Sequence, residues 1–300
     1  MFEFPDFNIS LHEKILFYTF TGAWFIQLMY YYLLYFRFAI YRNRKNEEVE
    51  ENPVSVILCA KNEENNLRKN LPFLLEQDYP KYEVIVVNDC SEDNTDLVLS
   101  EFKAKYSHLH TTNITKDKKF THGKKLALTI GVKAANHDIL LMTDADCQPY
   151  SDKWISTIQR NFIKKKEIIL GYGPYQHKKG FLNSLTRFDT FFIALQYFSY
   201  ALSGIPYMGV GRNMAYKKET FFRNKGFASH AHIASGDDDL FVKENATSKN
   251  TGIEINQDSF TYTEPENSLL QWTRKKKRHL TTSRLYKPGT KMLLGLENFS

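Results

Sequence analysis

The sequence predicts an α/β domain built on a mostly parallel sheet, preceded by an apolar N-terminal helix. Three observations predict it. Short β-branched runs alternate with helical patterns along the first half of the chain. The runs "VSVILCA" (54–60), "YEVIVVNDC" (82–90) and "DILLMTDAD" (138–146) are nearly continuous in apolar residues, as strands covered on both faces are. Each run ends in polar residues: Asn62 and Glu63, Asn88 and Asp89, Asp144 and Asp146. Parallel sheets bind ligands at the carboxyl ends of their strands, so these three clusters predict one shared crevice.

Taken in order, residues 1–14 form a tail and 15–38 a candidate membrane anchor. From Ile15 to Phe36, "ILFYTFTGAWFIQLMYYYLLYF" carries no charge, and a spanning helix needs about 20 such residues. Arg37, Arg42, Arg44 and Lys45 follow it, whereas Glu3, Asp6, Glu13 and Lys14 precede it. That bias places the rest of the chain in the cytoplasm. The alternative is a buried aromatic helix. A charged linker (39–52) leads to a domain over 53–300. Within it, Leu67, Leu71, Leu74 and Leu75 recur at helical spacing, "SEDNTDLVLSEFKAKY" (91–106) begins with a capping pattern, and "THGKKLALTIGVKAA" (121–135) is a further helix. The segment 180–204 carries Phe181, Leu185, Phe188, Phe192, Leu195 and Phe198 on one stripe. It suits either a core helix or one lying in a membrane interface.

Composition narrows the class. The 300 residues are 42% hydrophobic and 15% aromatic, which excludes a disordered chain. A net charge of +6 is mild, but cations bunch at Lys116–Lys125 and Arg274–Arg278. Three scattered cysteines argue against a disulfide framework, and no CxxC or HxxxH occurs to hold structural zinc. The turn "AKNEEN" after the first strand lacks the glycines of a dinucleotide fold, and no Walker motif occurs.

"VSVILCAKNEENNL", "YEVIVVNDCSEDNT", "HGKKLALTIGV", "MTDADCQP", "GVGRNMAYKKE", "SGDDDLFVK" and "QWTRKKKRHL" follow one another in this order. Together they resemble the family 2 glycosyltransferases of the GT-A fold, over roughly Pro53 to Ser283. The resemblance implies sugar transfer from a nucleotide diphosphate donor with inversion, assisted by Mg2+ or Mn2+. It implies that Asp89 accepts the N3–H of a uracil, although a cap or Asx turn before "SEDNT" would also suit that residue. Ala60, Asn62 and Glu63 match the stretch around the base, and Lys124 matches a lysine near the diphosphate. In an extended chain, residues two apart point the same way at about 6.5–7 Å, so Asp144 and Asp146 share a side. The resemblance gives Asp146 to the metal and Asp144 to the ribose or the metal's surroundings, with Cys147 as packing.

In "SGDDDLFV", alignment on Leu240 makes Asp237 the base, puts Gly236 in place of the usual glutamate and leaves Asp238 at a variable position, as the second choice for base. An inverting displacement needs one such carboxylate on the acceptor hydroxyl. The last motif departs from the family's Trp-x-x-Gln-x-x-Arg-Trp. Anchored on Trp272 it places Lys275 at the Gln, Arg278 at the Arg and His279 at the final Trp. A rival register uses Gln271 and Arg274. Arg278 then reaches the diphosphate or belongs to a membrane-surface patch. The loss of Gln and Trp favours single addition over polymer synthesis.

The expectation is a membrane-anchored inverting transferase taking a UDP-sugar donor and a glycan or lipid-linked acceptor, in cell-envelope polysaccharide or glycolipid synthesis, with no nucleic-acid partner. Two rivals are a nucleotidyltransferase on a similar sheet and a non-catalytic nucleotide-sugar-binding module.

Overall fold

The computed structural model describes residues 10–43, 50–115, 123–233 and 235–300. Glu3, Asp6, Arg44, Lys45 and the stretch 116–122 of the basic run lie outside the described residues. Helix α1 (Leu11–Tyr30) starts on Ser10, which exchanges two hydrogen bonds with Glu13. It continues through a π turn at Tyr31–Tyr35 into α2 (Phe36–Ile40). The parallel half of the domain then follows as β1 (Val54–Ala60), α3 (Glu64–Leu75), β2 (Tyr82–Asp89), α4 (Thr95–Lys103), β3 (Leu109–Ile114), α5 (Lys124–Ala134) and β4 (Ile139–Met142). The remainder supplies β5 (Cys147–Pro149), α6 (Trp154–Gln159), β6 (Ile168–Leu170), α7 (Phe181–Leu202), β7 (Met214–Lys217), α8 (Lys218–Arg223), α9 (Asp239–Asn245), β8 (Thr251–Ile253), β9 (Thr261–Thr263), α10 (Leu269–Ser283) and α11 (Pro288–Phe299).

The main sheet has the order β3-β2-β1-β4-β7-β6-β8, and β5 pairs separately with β9. Strands β3, β2, β1 and β4 are parallel, whereas β7 runs antiparallel between β4 and β6. The strand order reverses at β1, with β2 on one side and β4 on the other, and a crevice forms at the carboxyl end of such a junction. Alternate residues of β1 serve opposite layers. Val54, Val56 and Leu58 pack with Leu67 and Leu71 of α3, while Ile57 packs with Ala127 and Leu128 of α5. Each such side chain contributes about 1.5–3 kcal/mol when fully buried, so the sheet edge that carries the site is rigid.

Three sequence expectations change. The sequence pattern passes directly from α4 to α5, but β3 lies between them, at the edge of the sheet and half exposed. The aromatic stripe of 180–204 is a helix, yet only its second half is core: Phe198 is buried, while Phe181, Phe188 and Phe192 are exposed. The anchor segment is helical, but among the described residues no helix is long and apolar enough to cross a membrane. Its polar side chains dilute it, and its second half is docked on protein. Gln27 Nε2 donates to the Glu297 carbonyl at 2.7 Å, Tyr30 OH donates to the Leu293 carbonyl at 2.7 Å, and Tyr35 OH bonds the Glu297 carboxylate.

Candidate active site

Asp89 ends β2 with parallel neighbours on both sides. It is 4% exposed, and its Oδ1 has no hydrogen-bond partner. The Asx-type bond that could have explained it is made by Asn88, whose Oδ1 accepts the Ser91 N–H at 3.2 Å. An unsatisfied buried carboxylate oxygen is costly, so Asp89 is an acceptor in want of a donor. Ala60 is fully buried at the end of β1. Asn62 has a left-handed backbone (φ 57°) and spends its side chain on the next loop, accepting the Glu92 N–H at 2.7 Å. That bond makes it a loop staple. Glu63 turns toward the acidic pair instead: burial pushes its carboxyl up, against a 2.6 Å hydrogen bond from Asn66, and the Asp146 and Asp144 charges add to the rise.

Asp144 and Asp146 follow β4 on the other side of β1. Their carboxylates and the Cys147 sulfur lie within 4.8 Å of one another. Burial holds the Cys147 thiol protonated, its value raised well above the ordinary one, and the thiol contacts Asp146 Oδ1 at 3.5 Å. Thr263 on β9 donates to Asp146 Oδ2 at 2.9 Å and fixes its rotamer. Two hard carboxylates with a protonated thiol behind them fit Mg2+ or Mn2+, which take one or two protein carboxylates beside phosphate oxygens. They do not suit a thiolate-seeking ion.

Lys124, the first residue of α5, joins the two ends of the site. Its Nζ lies 2.8 Å from Asp144 Oδ1 and 3.0 Å from Asp237 Oδ2. Burial would lower the ammonium, but Asp144 and Asp237 outweigh it and hold Lys124 well above the usual lysine range. For Asp144, burial is likewise outweighed by Lys124, Arg212 and Lys275, and the carboxyl is lowered. The neighbouring Lys125 points elsewhere, donating to the carbonyls of His230 and Ile233 at 2.6 and 3.0 Å. It pins the loop that leads to Asp237.

The three consecutive aspartates have three different surroundings. Asp237 faces Lys124 and the cavity. Asp238 caps α9, accepting the Asp239 and Gly211 N–H groups at 2.8 and 3.0 Å; burial, then Asp237 and Asp239, push it up to about 7. Asp239 points away into the protein, where Thr282 and Tyr286 donate to it, the latter at 2.9 Å. Gly236 has φ 96°, and a Cβ there would sit 2.6 Å from Leu240 Cδ1. The backbone that presents Asp237 therefore cannot carry a glutamate before it without rearranging.

A cavity of about 670 Å³ opens from this edge. Lys124, Asp144, Asp146, Asp237, Asp238 and Arg278 line it; Ala60, Asn62, Glu63 and Asp89 do not. On α10, Trp272, Lys275, Arg278 and His279 face the cavity, and Gln271 and Arg274 do not. Sequence reasoning missed Arg212 and Tyr175. The Arg212 guanidinium lies 5.2 Å from the Tyr175 ring centroid, and Lys275 Nζ lies 5.4 Å from it. The available signal was an arginine behind Gly209 and Gly211 in "GVGRNMAYKKE".

The model of the family described as glycosyl transferase family 2 matches residues 55–222. A probable glycosyltransferase of Bacillus subtilis is 40% identical over 106 residues, covering 34% of this chain and 25% of that protein. A Methanococcus voltae dolichyl N-acetyl-alpha-D-glucosaminyl phosphate 3-beta-D-2,3-diacetamido-2,3-dideoxy-beta-D-glucuronosyltransferase is 32% identical over 179 residues, covering 58% of this chain and 50% of that one. The matches thus span between a quarter and a half of these relatives. Among solved structures, a mannosyltransferase from Pyrobaculum calidifontis in complex with GDP-Man and Mn2+ superposes with a TM-score of 0.71 at 19% identity, covering 96% of this chain and 81% of that chain. At that identity the likeness is one of fold.

Proposed function

Because this chain belongs to glycosyl transferase family 2 and carries its GT-A fold, we propose that it is an inverting, metal-dependent glycosyltransferase moving a sugar from a UDP-linked donor to an acceptor hydroxyl. The observation that carries this reading is the bridge of Lys124 between Asp144 and Asp237. It sets a candidate base a few ångströms from a candidate metal pair, as a single displacement requires.

In this reading Asp89 Oδ1 receives the N3–H of uracil and meets its missing partner. Asp146, steadied by Thr263, and Asp144 would hold Mg2+ or Mn2+. The bound ion would offset the charge developing on the departing diphosphate. Asp237 takes the acceptor's proton. Lys124 offsets the mutual repulsion of Asp144 and Asp237 and turns toward the diphosphate when the donor arrives. Asp238, its proton held by burial and its carboxyl fixed by two backbone bonds, shapes the helix start rather than reacting. The acceptor is lipid-linked, and the protein works at the cytoplasmic face of a membrane, in envelope polysaccharide or glycolipid synthesis. The exposed apolar residues of α1, α7 and α11 support that location. The Methanococcus voltae relative, whose name specifies a dolichyl-linked sugar phosphate, supports the acceptor class.

The test is a donor panel of UDP- and GDP-sugars with Mn2+ and membrane lipid extract, read as release of free nucleoside diphosphate and as sugar incorporated into lipid. One donor should turn over. Asp237→Asn should keep donor affinity within about 2-fold while losing transfer by about 10²–10⁴-fold. Full transfer by Asp237→Asn would overturn the base assignment, and release of pyrophosphate would point to a nucleotidyltransferase.

A further inference from the structure

The cavity changes character along its length. At the sheet edge it is acidic, with Asp144, Asp146 and Asp237. Next to these stand Arg212, on the loop before β7, and Lys275 and Arg278, on α10. Beyond, between α7, α10 and α11, the lining gains an apolar patch of Ile193, Ala194, Met208 and Leu294, with Tyr207, among polar side chains such as Gln196 and Asn298. A nucleotide sugar is polar throughout and has no use for that last wall.

Arg212, in the middle zone, leans on the Tyr175 side chain and the more distant Asp144 charge but is not fully satisfied. Its Nε is buried without a hydrogen-bond partner, and among the described residues no carboxylate lies within ion-pair distance of it or of Arg278. The fold makes room for it deliberately: a Cβ at Gly173 would lie 2.5 Å from Arg212 Nε, so only glycine admits the side chain here. Lys275 shares the Tyr175 ring with Arg212 and is held in place by Glu266 at 2.9 Å. Two cations on one ring repel each other and give up hydration. A cation–π contact offsets only part of that cost, whereas an anion between them offsets most of it.

We propose that Arg212 and Lys275, seated on Tyr175, form a second anion subsite that takes the phosphate of a lipid-borne acceptor, with its chain between α7, α10 and α11. This rests on the glycosyltransferase reading and specifies the acceptor for the same site. The donor diphosphate keeps the acidic end, with its metal and Lys124. The order acid, cation, apolar wall then matches donor, acceptor head and acceptor chain.

The test titrates the full chain with farnesyl phosphate, farnesol and inorganic phosphate, followed by the fluorescence of Trp272, which lines the cavity. The wild type should prefer farnesyl phosphate to farnesol by about 10-fold or more, as a charge-assisted phosphate contact warrants. Arg212→Gln should reduce that preference to below about 3-fold while the affinity for UDP with Mn2+ stays within about 2-fold. Lys275→Gln, on an amphipathic helix, is the second variant should Arg212→Gln misfold by circular dichroism. Equal affinity for farnesol and farnesyl phosphate in the wild type overturns the proposal. So does loss of UDP affinity in the variants with the lipid preference intact, which assigns the cations to the donor. Displacement of farnesyl phosphate by equimolar inorganic phosphate overturns the lipid source. Phosphate-dependent lipid binding in a protein that turns over no donor would instead sink the glycosyltransferase reading alone.

Discussion

Lys124 lies 2.8 Å from Asp144 and 3.0 Å from Asp237, so in the proposed function one side chain ties the donor end to the acceptor end. Its worth depends on which aspartate it touches, and here the run 237–239 separates cleanly. Asp238 holds a proton in the native state up to about pH 7, because burial and its two acidic neighbours disfavour its charge. An unfolded aspartate releases that proton near pH 4. The native state therefore binds more protons than the unfolded state across this window, and the group's contribution to stability falls as pH rises from about 4 to 7. Asp238→Asn cannot ionise. It loses one acceptor for the Gly211 or Asp239 N–H at every pH, but the difference from wild type should move in its favour by about 1–3 kcal/mol between pH 4 and 8. Urea melts at both pH values check this, and a constant difference would contradict the retained proton. Transfer activity should survive the change, as it should not in Asp237→Asn. The candidate acids Asp144, Asp146 and Asp237 were legible through the family resemblance, and the strand-end spacing of the first two agrees with a shared side. Asn62 was misjudged because its left-handed turn sends the side chain to Glu92, and a turn's handedness is not written in its letters. Arg212 was missed because its partner, Tyr175, is distant in sequence.

At the scale of elements, α10 decides which cations reach the cavity, and it is held by one buried carboxylate. Asp239, at the start of α9, accepts from Thr282 on α10 and from Tyr286 just after it. Burial makes it a weaker acid than usual, against those two hydrogen bonds, so each donor it keeps matters. Tyr286→Phe should cost about 1–3 kcal/mol, the range for leaving a buried acceptor short of a partner. It should also speed tryptic cleavage after Arg274 and Lys277 by loosening the helix. An unchanged cleavage rate with a lowered melting temperature would show that α10 is held elsewhere. The helix was not assigned from the sequence, although its capping Ser268 and its run of good helix formers were an available signal. Strand β3 offered no such signal, because "LHTTNI" is a half-exposed edge strand without the continuous apolar run that marks β1 and β2.

Over the whole molecule, the parallel half of the sheet was legible because burial on both faces forces an apolar run, whereas the relation to the membrane was not. Charge-free length alone suggested a span, yet α1 divides its work. Its second half and the π turn after it spend Gln27, Tyr30 and Tyr35 on α11, while its first half leaves Leu16 and Phe20 about 70% exposed. Phe181 of α7 is 83% and Phe299 of α11 is 94% exposed, and Lys276 of α10 is ion-paired to Asp189 of α7. So many exposed aromatics are unusual for a free soluble surface. Aromatic and aliphatic groups beside lysines and arginines suit the headgroup region of an anionic bilayer. The two modes of attachment differ in what releases them. A spanning helix resists salt, whereas interfacial binding that leans on cations weakens as the Debye length shrinks from about 8 Å at 0.15 M to about 3 Å at 1 M. The full chain should therefore sediment with phosphatidylglycerol vesicles, bind phosphatidylcholine vesicles far less, and be released several-fold by about 1 M NaCl. The double variant Phe181→Ser, Phe188→Ser should weaken the association without lowering the melting temperature, since neither ring is in the core. Retention on vesicles through high salt would favour a span after all, and indifference to both lipids would remove the membrane from the reading while leaving the chemistry at Asp237 untouched.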